Sequence, residues 1–336
     1  MVWLKFLVCL VIILFAGTKL ARYGDAIAEK TGLGRIWIGL VLLAAITSVP
    51  ELVTGVSSAA LVRLPDLALG TLFGSNLFNL AILALLDTFH RYTPILSVVS
   101  MRHMLLAGAG ILLIAVAAVS ILTGETLSGL ALGWIGIPSI VILLLYLLVI
   151  RRMFRLEKDQ PSPPLAAEPL RYQEMSLKTV WLRFSVAAAA VIGAGIWVSF
   201  IGGEIAETTG WGTSFVGSLF LAISTSMPEL VVTFAALRLG ALDMAVADIL
   251  GSNMFNMAII FLVDLFYFRE AILSAASSVH IIMAVAGIVM SLLVIIGLRF
   301  RQQRKIFIIF SWYSPALIVL YLLGFYMLFT SGIGLG

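Results

Sequence analysis

The sequence has little charge and almost no cysteine. Of its 336 residues, 11% are Asp, Glu, Lys or Arg, and Cys9 is the single cysteine. One cysteine excludes an intrachain disulfide framework. Because soluble domains carry about a quarter charged residues, a chain with so few cannot cover its apolar side chains with a polar surface. An ordinary soluble domain is therefore excluded.

Apolar residues dominate instead. They make up 62% of the chain, and the mean hydropathy is +1.14. Crossing a hydrocarbon layer of about 30 Å takes roughly 20 helical residues, and apolar stretches of that length occur ten times. The sequence therefore predicts an all-α integral membrane protein with ten transmembrane helices. The expected spans are residues 2–20, 36–62, 66–88, 103–123, 129–150, 179–201, 212–237, 243–268, 278–299 and 306–330. We expect the first span to be retained, because it lacks the small-x-small cleavage site of a signal peptide.

A polar stretch divides the chain in two. Residues 157–178 contain four prolines and read as an extended linker between a first unit, residues 1–156, and a second unit, residues 179–336. Of the 21 Lys and Arg residues, 18 fall on the linker side of the expected spans. The three on the other side are Lys5, Arg63 and Arg269. The positive-inside rule thus predicts a cytoplasmic linker and two outward-facing termini, and the net charge of +4 reflects orientation rather than nucleic-acid binding.

Two motifs occur twice in the same order. ITSVPELV at residues 46–53 matches STSMPELV at 224–231 in six of eight positions, and GSNLFNLAI at 74–82 matches GSNMFNMAI at 251–259 in seven of nine. The copies lie about 177 residues apart, which indicates a duplicated unit. A unit with five crossings places its second copy upside down in the membrane. The sequence therefore predicts two inverted five-helix repeats whose motif helices meet near the midplane.

Each first motif places a carboxylate within an expected span. A charge at the centre of a spanning helix costs roughly 2.5 to 3.5 kcal/mol on insertion-derived scales, so Glu51 and Glu229 indicate a functional site. Each follows a proline, Pro50 or Pro228, which lacks an N–H and leaves a carbonyl one turn earlier without its helical donor. Prolines of this kind also occur as purely structural kinks.

Oxygen atoms surround these carboxylates in the sequence. Four hydroxyl residues precede the glutamates: Thr47, Ser48, Thr225 and Ser226. Carboxylate, carbonyl and hydroxyl oxygens together suit Ca²⁺ or Na⁺. The alternative is that the hydroxyls bond back onto their own helix.

Each second motif places polar residues on one helix face. Residues four apart share a face, which pairs Ser75 with Asn79 and Ser252 with Asn256. One turn earlier the same faces carry Thr71 and Asp248. A pairing of Asp248 with an arginine at a helix end is an alternative to a role in cation binding. Close helix packing is an equal alternative for the glycines of both motifs. The three histidines are expected to be isolated residues at the membrane interface, because they show no metal-binding spacing: His90, His103 and His280.

With these motifs the sequence resembles the cation/calcium antiporter superfamily, which includes the sodium/calcium exchangers, and most closely its prokaryotic members. TSVPEL with GSNLFN, and TSMPEL with GSNMFN, look like the two alpha repeats of that family. The resemblance implies that Glu51 and Glu229 are central ligands shared between Ca²⁺ and Na⁺. It further implies ligands from Ser75, Ser252, Asn79 and Asn256 and from backbone oxygens around Ala44, Thr47, Ala222 and Thr225. It also implies that the first and sixth helices form a sliding gate.

Some positions depart from the family pattern. Ile46 and Ser224 stand where the family usually has Gly before Thr-Ser, and Asn79 and Asn256 stand where some members have Asp. Many relatives have Asn at the positions of Thr71 and Asp248. The additional carboxylate at Asp248 is expected to alter ion preference or to add a proton site.

The expected function is secondary antiport of Ca²⁺ against Na⁺ by alternating access, in a prokaryotic inner membrane. Coupling to H⁺, transport of another divalent cation and, less favoured, a cation channel are the alternatives. An intramembrane enzyme is disfavoured because no nucleophile and base are paired in the sequence. We expect no resident cofactor, no nucleic-acid ligand and no protein partner beyond the lipid bilayer and the transported ions.

Overall fold

The computed structural model describes residues 1–31, 44–90, 93–124, 131–159, 175–238, 240–301, 305 and 310–332. Apart from a two-stranded hairpin, the regular structure in these ranges is helical. Helices suit a chain of this composition because they satisfy every backbone N–H and C=O within one segment, where lipid offers no partner.

The first half contains seven helices and the hairpin within its described residues. They are α1 (Val2–Thr31), α2 (Ala44–Thr47), α3 (Val49–Ala60), α4 (Pro65–Phe89), α5 (Ile95–Val98), α6 (His103–Thr123), β1 (Ala131–Leu132), β2 (Ile135–Gly136) and α7 (Ile137–Asp159).

The second half follows a similar order. It contains α8 (Leu177–Thr209), α9 (Thr213–Val216), a π-helical turn (Gly217–Leu221), α10 (Ala222–Thr225), α11 (Met227–Arg238), α12 (Leu242–Phe266), α13 (His280–Phe300) and α14 (Tyr313–Gly332).

Eight helices in the described residues are long and apolar enough to cross a membrane, or nine if the bent pair Thr213–Thr225 and Met227–Arg238 is counted as one span. The bend between those two segments is 44°. Residues 36–43 of the expected second span lie outside the described residues, as do 160–174 of the expected linker. The chain is thus a helical protein with several membrane-spanning segments.

Two helices begin later than the expected spans. Residues 129 and 130 of the expected fifth span lie outside the described residues, and Ala131 pairs with Gly136 in the hairpin, which turns through Gly133 at a φ of 70°. Helix α7 begins only at Ile137, with Pro138 in its first turn, where a missing N–H breaks no helical hydrogen bond. The helix of the last span begins at Tyr313, and residues 306–309, where that span was expected to begin, lie outside the described residues. Conversely, α1 and α8 run to Thr31 and Thr209, well beyond the expected ends.

Helices α4 and α12 form the centre of the molecule. In their apolar stretches 89% and 72% of residues are buried, against 22% in α7 and 28% in α14. Since α4 and α12 carry the second motif of each half, the two motifs face each other in the most enclosed part of the protein. Helices α1 and α8 pack along one another at the periphery, where Lys5 Nζ lies 2.7 Å from Glu204 Oε2.

Buried aspartates fix the far ends of both central helices. Asp87 accepts hydrogen bonds from the Ile95 N–H at 2.9 Å and the Tyr313 hydroxyl at 2.6 Å. Asp264 occupies the corresponding place in α12 and accepts from the N–H groups of Ile272 and Gly136, both at 2.8 Å. These bonds satisfy each carboxylate and attach a following loop to the centre of the molecule.

The expectation that the histidines are isolated was wrong for two of them. His103 Nε2 lies 2.9 Å from Asp243 Oδ1, and His280 Nε2 lies 3.0 Å from Asp66 Oδ1. Both imidazoles are buried. Each aspartate stands in the first turn of a central helix, and its histidine begins a helix of the other half. Sequence spacing could not show these contacts, because the partners lie about 140 and 214 residues apart. His90 instead donates to the carbonyl of Thr93, 2.7 Å away.

Candidate cation site

Both proline-containing helices break at the same serine of the motif. Ser48 separates α2 from α3 with φ −86° and ψ 11°, and Ser226 separates α10 from α11 with φ −87° and ψ 10°. The proline two residues later cannot donate a hydrogen bond, so the ladder of backbone bonds is interrupted there. Neither Ile46 nor Ser224 prevents the break, although each replaces a glycine of the family pattern. The interruption leaves Glu51 and Glu229 in the first turn of a new helix.

The two glutamates pair with the serines of the opposite half. Ser226 Oγ donates to Glu51 Oε1 at 2.7 Å, and Ser48 Oγ donates to Glu229 Oε1 at 3.1 Å. Ser75 Oγ adds a longer contact of 3.4 Å to Glu51 Oε1. All five side chains are fully buried. Two positions slightly more than half the chain length apart are thus brought into one cluster by reciprocal contacts.

The asparagines of α4 and α12 also form hydrogen bonds between the two halves. Asn79 Nδ2 donates to Asn253 Oδ1 at 3.0 Å, and Asn256 Nδ2 donates to Asn76 Oδ1 at 3.2 Å. Asn253 Nδ2 also donates to the backbone carbonyl of Asn76 at 3.2 Å. The amide nitrogens of Asn79 and Asn256 are thus engaged. Their amide oxygens accept no hydrogen bond from the described residues and remain available.

Analysis of the sequence missed Asn76 and Asn253. They are the third residues of the two GSN motifs, and the available signal was their repetition in both copies. On helix spacing alone they fall on a different face from Ser75 and Asn79, so they are not among the polar residues that share a face in the sequence analysis. The structure shows that this face meets the partner helix.

Several buried oxygens of the site have no hydrogen-bond donor in the part of the chain that is described. They are Glu51 Oε2, Glu229 Oε2, Asn79 Oδ1, Asn256 Oδ1, Ser252 Oγ and both carboxylate oxygens of Asp248. Buried polar atoms are normally satisfied, and each exception calls for an explanation. Carboxylate, amide and hydroxyl oxygens are the ligands that Ca²⁺ and Na⁺ prefer, so this set of oxygens suits such a cation.

The threonine hydroxyls are directed to their own helices. Thr47 Oγ1 donates to the Ala44 carbonyl at 3.2 Å, and Thr225 Oγ1 donates to the Leu221 and Ala222 carbonyls at 3.0 and 3.3 Å. The back-bonding alternative therefore holds for these protons, while the oxygen lone pairs stay free. Thr71 likewise donates to the Leu67 carbonyl at 2.8 Å.

The Ala44 and Ala222 carbonyls, which the family resemblance implies as ligands, also accept the N–H groups of Ser48 and Ser226. Each carbonyl thus already accepts a backbone bond and a threonine hydroxyl in this structure. Their use as cation ligands requires one of these bonds to be exchanged.

Asp248 departs from the symmetric pattern. It is fully buried, and its counterpart in the first half is Thr71. An arginine partner, the alternative raised by the sequence, is not found among the described residues. The negative charge of Asp248 acts on Glu229, as does that of Glu51. Glu229 thus has two acidic neighbours, Glu51 and Asp248.

Close packing accounts for Gly74. A methyl group placed there would lie 2.2 Å from the Ser218 carbonyl oxygen in the π-helical turn. A side chain at this position would push that turn away from α4. The packing alternative raised for the glycines of the motif therefore applies to Gly74, which sets the distance between α4 and the broken helix beside it.

The described residues contain no group of three or more His, Cys, Asp or Glu side chains arranged to hold a metal ion together. The candidate site instead combines carboxylates with amide and hydroxyl oxygens. Because many of these oxygens are neutral, fewer charges hold the cation than in a site made of carboxylates alone. Such a ligand set suits a cation that is bound and released again.

Comparison with protein families gives a match over most of the chain. The family described as sodium/calcium exchanger protein matches residues 1–153 and 179–332. The unmatched stretch between these ranges contains the linker expected from the prolines, residues 157–178.

Two curated proteins are similar to the chain. Inner membrane protein YrbG of Escherichia coli (strain K12) is 29% identical over 264 residues, which cover 76% of each chain. The putative antiporter CaxA of Alkalimonas amylolytica is 25% identical over 261 residues, covering 74% of this chain and 76% of the relative.

Solved structures of the sodium-calcium exchanger NCX_Mj share the fold. One determined after soaking with 100 mM Na⁺ and 10 mM Sr²⁺ has a TM-score of 0.62 and 21% identity, covering 96% of this chain and 98% of that one. Another, soaked with 2.5 mM Na⁺ and 0.1 mM Ca²⁺, has a TM-score of 0.61 and 19% identity.

Proposed function

The chain belongs to the sodium/calcium exchanger family, and from this premise we propose that it is a secondary antiporter that exchanges Ca²⁺ for Na⁺ across the inner membrane. The observation that carries the proposal is the reciprocal contact of the two halves, in which Glu51 and Glu229 each keep one carboxylate oxygen without a donor. Two carboxylates balance the charge of one divalent cation. Two Na⁺ ions balance it equally, which allows them to compete for the same oxygens.

The proposed site is built from the glutamates and the polar residues around them. Ligands come from Glu51 and Glu229, with oxygens from Asn79, Asn256 and Ser252. The serines at the helix breaks, Ser48 and Ser226, orient the carboxylates. Ser75, Thr47, Thr225 and the carbonyls of Ala44 and Ala222 complete the set as their present bonds exchange. No resident cofactor is needed, because the cations are cargo.

The proposed architecture is ten transmembrane helices arranged as two inverted five-helix repeats, residues 1–156 and 179–336. In such transporters the site lies near the midplane, and broken helices line it. The breaks at Ser48 and Ser226 support this arrangement, as do contacts that recur in both halves. One repeat rocking or sliding against the other would expose the site to each side in turn. The helices α1 and α8 are the proposed moving pair.

Transport by counterflow distinguishes this proposal from its alternatives. Purified protein in proteoliposomes, loaded with Na⁺, with K⁺ or with a pH gradient alone, is assayed for ⁴⁵Ca²⁺ uptake. We expect uptake that requires internal Na⁺ and stops when the Na⁺ gradient is abolished. Uptake driven by the pH gradient alone would establish H⁺ coupling instead. Uptake that follows the membrane potential without any counter-ion would indicate a channel.

A further inference from the structure

The buried aspartates at the far ends of α4 and α12 have similar hydrogen bonds but different charge balance. Asp87 and Asp264 each accept two backbone N–H groups and one serine hydroxyl. The donors are Ile95, Ser311 and Ser314 for Asp87, and Ile272, Gly136 and Ser139 for Asp264. Asp87 has two further partners, the Tyr313 hydroxyl at 2.6 Å and the ammonium of Lys305, whose Nζ lies 3.7 Å from Asp87 Oδ2. No ion pair among the described residues includes Asp264, so its charge is buried without a counter-ion there, which is costly.

A cavity lies where Asp264 lacks these partners. The serine that bonds Asp264 follows Pro138, and the serine that bonds Asp87 follows Tyr313. Pro138 therefore stands where the other half has Tyr313, and it has no hydroxyl to donate. Beside it lies a cavity of about 10 Å³, lined in part by Asp264 and Ser120. A volume of this size holds one group as large as a water molecule, and the ammonium of an amine is such a group.

A wider groove adjoins this cavity on the surface of the helices. It has a volume of about 350 Å³, lies between α6 and α7, and shares Ser120 and Pro138 with the cavity. The remaining residues that line it in the described structure are apolar, and Val119, Ile137 and Val141 among them are exposed. Exposed apolar surface on a membrane-spanning protein contacts lipid. The groove is therefore accessible to acyl chains.

The hairpin indicates the depth of this region in the membrane. The indole N–H of Trp134 donates to the Leu265 carbonyl at 3.1 Å, and its ring lies 5.2 Å from that of Phe268. Both rings are exposed, and exposed tryptophan concentrates at the level of the lipid headgroups. Asp264 precedes Leu265, so its cavity lies near that level. From there the groove follows α7 from its first residue for about 6 Å, which is one helical turn toward the hydrocarbon.

One kind of ligand matches both the cavity and the groove. We propose that they bind a phospholipid whose headgroup ends in a primary ammonium, as in phosphatidylethanolamine, with the ammonium against Asp264 and one acyl chain between α6 and α7. A primary ammonium supplies a positive charge and three N–H donors, as Lys305 does beside Asp87. A trimethylammonium headgroup carries the charge but has no N–H donor, and it exceeds the volume of the cavity. The bound lipid links α6 and α7 to the end of α12, and the inference does not depend on the proposed ion exchange.

Lipid binding can be measured without transport. Purified protein, delipidated in a neutral detergent, is mixed with phosphatidylethanolamine or with phosphatidylcholine of identical acyl chains, and bound lipid is counted by native mass spectrometry. We expect one phosphatidylethanolamine per protein, bound about tenfold more tightly than phosphatidylcholine, because only the former donates hydrogen bonds to the carboxylate. The unfolding temperature should rise with phosphatidylethanolamine and change little with phosphatidylcholine.

Two variants test the contact with the headgroup. Asp264→Asn removes the charge with little change of shape, and Pro138→Tyr installs the residue of the other half and fills the cavity. Both should bind the two lipids equally. Glu207→Gln removes an exposed carboxylate from the end of α8 and should retain the preference. If Asp264→Asn fails to fold because its hydrogen bonds are disturbed, Pro138→Tyr provides the comparison.

A variant in the groove tests the position of the acyl chain. Val119→Trp fills the groove with an indole ring and should weaken the binding of phosphatidylethanolamine. Ile296→Trp is the matched control, because Ile296 is the corresponding exposed residue of α13 in the other half. It should bind the lipid as the wild type does.

Four results would overturn the inference. Equal binding of the two lipids by the wild type would exclude recognition of the ammonium, and a preference that persists in both cavity variants would exclude Asp264 as its partner. Undiminished binding by Val119→Trp would exclude the groove. An unfolding temperature that depends on Na⁺ rather than on lipid, and loses this dependence in Asp264→Asn, would assign an inorganic cation to the cavity instead.

Discussion

At the scale of single residues, the two oxygens of each glutamate at the candidate site differ in their hydrogen bonding. One oxygen of Glu51 and one of Glu229 accept a serine hydroxyl of the opposite half, and the other has no donor among the described residues. A carboxylate held by one oxygen has a fixed orientation and a free lone pair, which is the preorganisation that a cation ligand requires. In the proposed site the serines therefore contribute geometry, and the glutamates contribute charge.

We expect Glu51→Gln and Glu229→Gln each to abolish Ca²⁺ exchange while the protein stays folded. Each change keeps the shape and removes a charge, and loss of one member of a buried charge pair costs about 3 to 5 kcal/mol, or more than about 100-fold in affinity. The measurement is Na⁺-dependent ⁴⁵Ca²⁺ uptake in proteoliposomes. Glu207→Gln, at an exposed position, is the matched control. Near-normal exchange by either site variant would remove that glutamate from the site.

Asn253 is predicted to position a ligand. Replacing it by Ala removes the acceptor that holds the amide nitrogen of Asn79, so the amide can turn and lose its oriented oxygen. We expect Asn253→Ala to weaken Ca²⁺ binding by about tenfold, the loss of roughly one hydrogen bond of 0.5 to 1.5 kcal/mol. Asn253→Gln keeps both the acceptor oxygen and the donor nitrogen of the amide and should restore much of the affinity. A purely structural role would predict equal loss of affinity in the two variants.

At the scale of secondary structure, hydropathy predicted the long helices well and several helix ends poorly. Hydropathy identified α4, α6, α12 and α13 to within a few residues, because each is a continuous apolar stretch. It misplaced the start of α7, because the residues of the hairpin are as apolar as those of a span. Proline predicted that α3 and α11 follow breaks, but not that both breaks fall at a serine.

The cross-half contacts of the site were less predictable. The duplicated motifs predicted that Glu51 and Glu229 lie close together, because equivalent helices meet in an inverted repeat. The partners of Asp66 and Asp243 were not foreseen, because a histidine on another helix carries no local signal. Likewise, nothing in the spacing distinguishes the amide contact of Asn76 with Asn256 from simple helix packing.

The contact between α4 and the π-helical turn gives a test at this scale. Gly74→Ala places a methyl group 2.2 Å from the Ser218 carbonyl oxygen. Because that oxygen belongs to the backbone, it cannot turn aside as the end of a side chain can. Overpacking of this kind costs about 1 to 3 kcal/mol, so we expect a lower unfolding temperature in detergent and reduced exchange. Gly110→Ala in α6 is the matched control, because no atom of the described residues outside its own stretch of helix lies within 4 Å of the new methyl group. Equal unfolding temperatures in the two variants would contradict the close approach.

At the scale of the whole molecule, the distribution of charge predicts how the protein is oriented in the membrane. Of the 21 Lys and Arg residues, 18 lie on the side of the linker, and this asymmetry predicts that side to be cytoplasmic. The two His–Asp contacts then lie on opposite sides, with His103 and Asp243 toward the cytoplasm and His280 and Asp66 toward the outside. Each boundary of the core would thus be closed by the same kind of contact.

Cysteine labelling tests this orientation. In a Cys9→Ser background, where the hydroxyl can still donate to the Ala194 carbonyl, a single cysteine is introduced by Leu177→Cys near the linker or by Phe268→Cys in the loop of Arg269. Both positions are exposed, and neither change alters the charge count. In intact cells an impermeant maleimide should label the Phe268→Cys protein and not the Leu177→Cys protein, because only the former faces outward. Permeabilised cells serve as the control and should label both. The opposite pattern in intact cells would show that the charge asymmetry is inverted, and labelling of both would show that an even number of crossings separates the two positions.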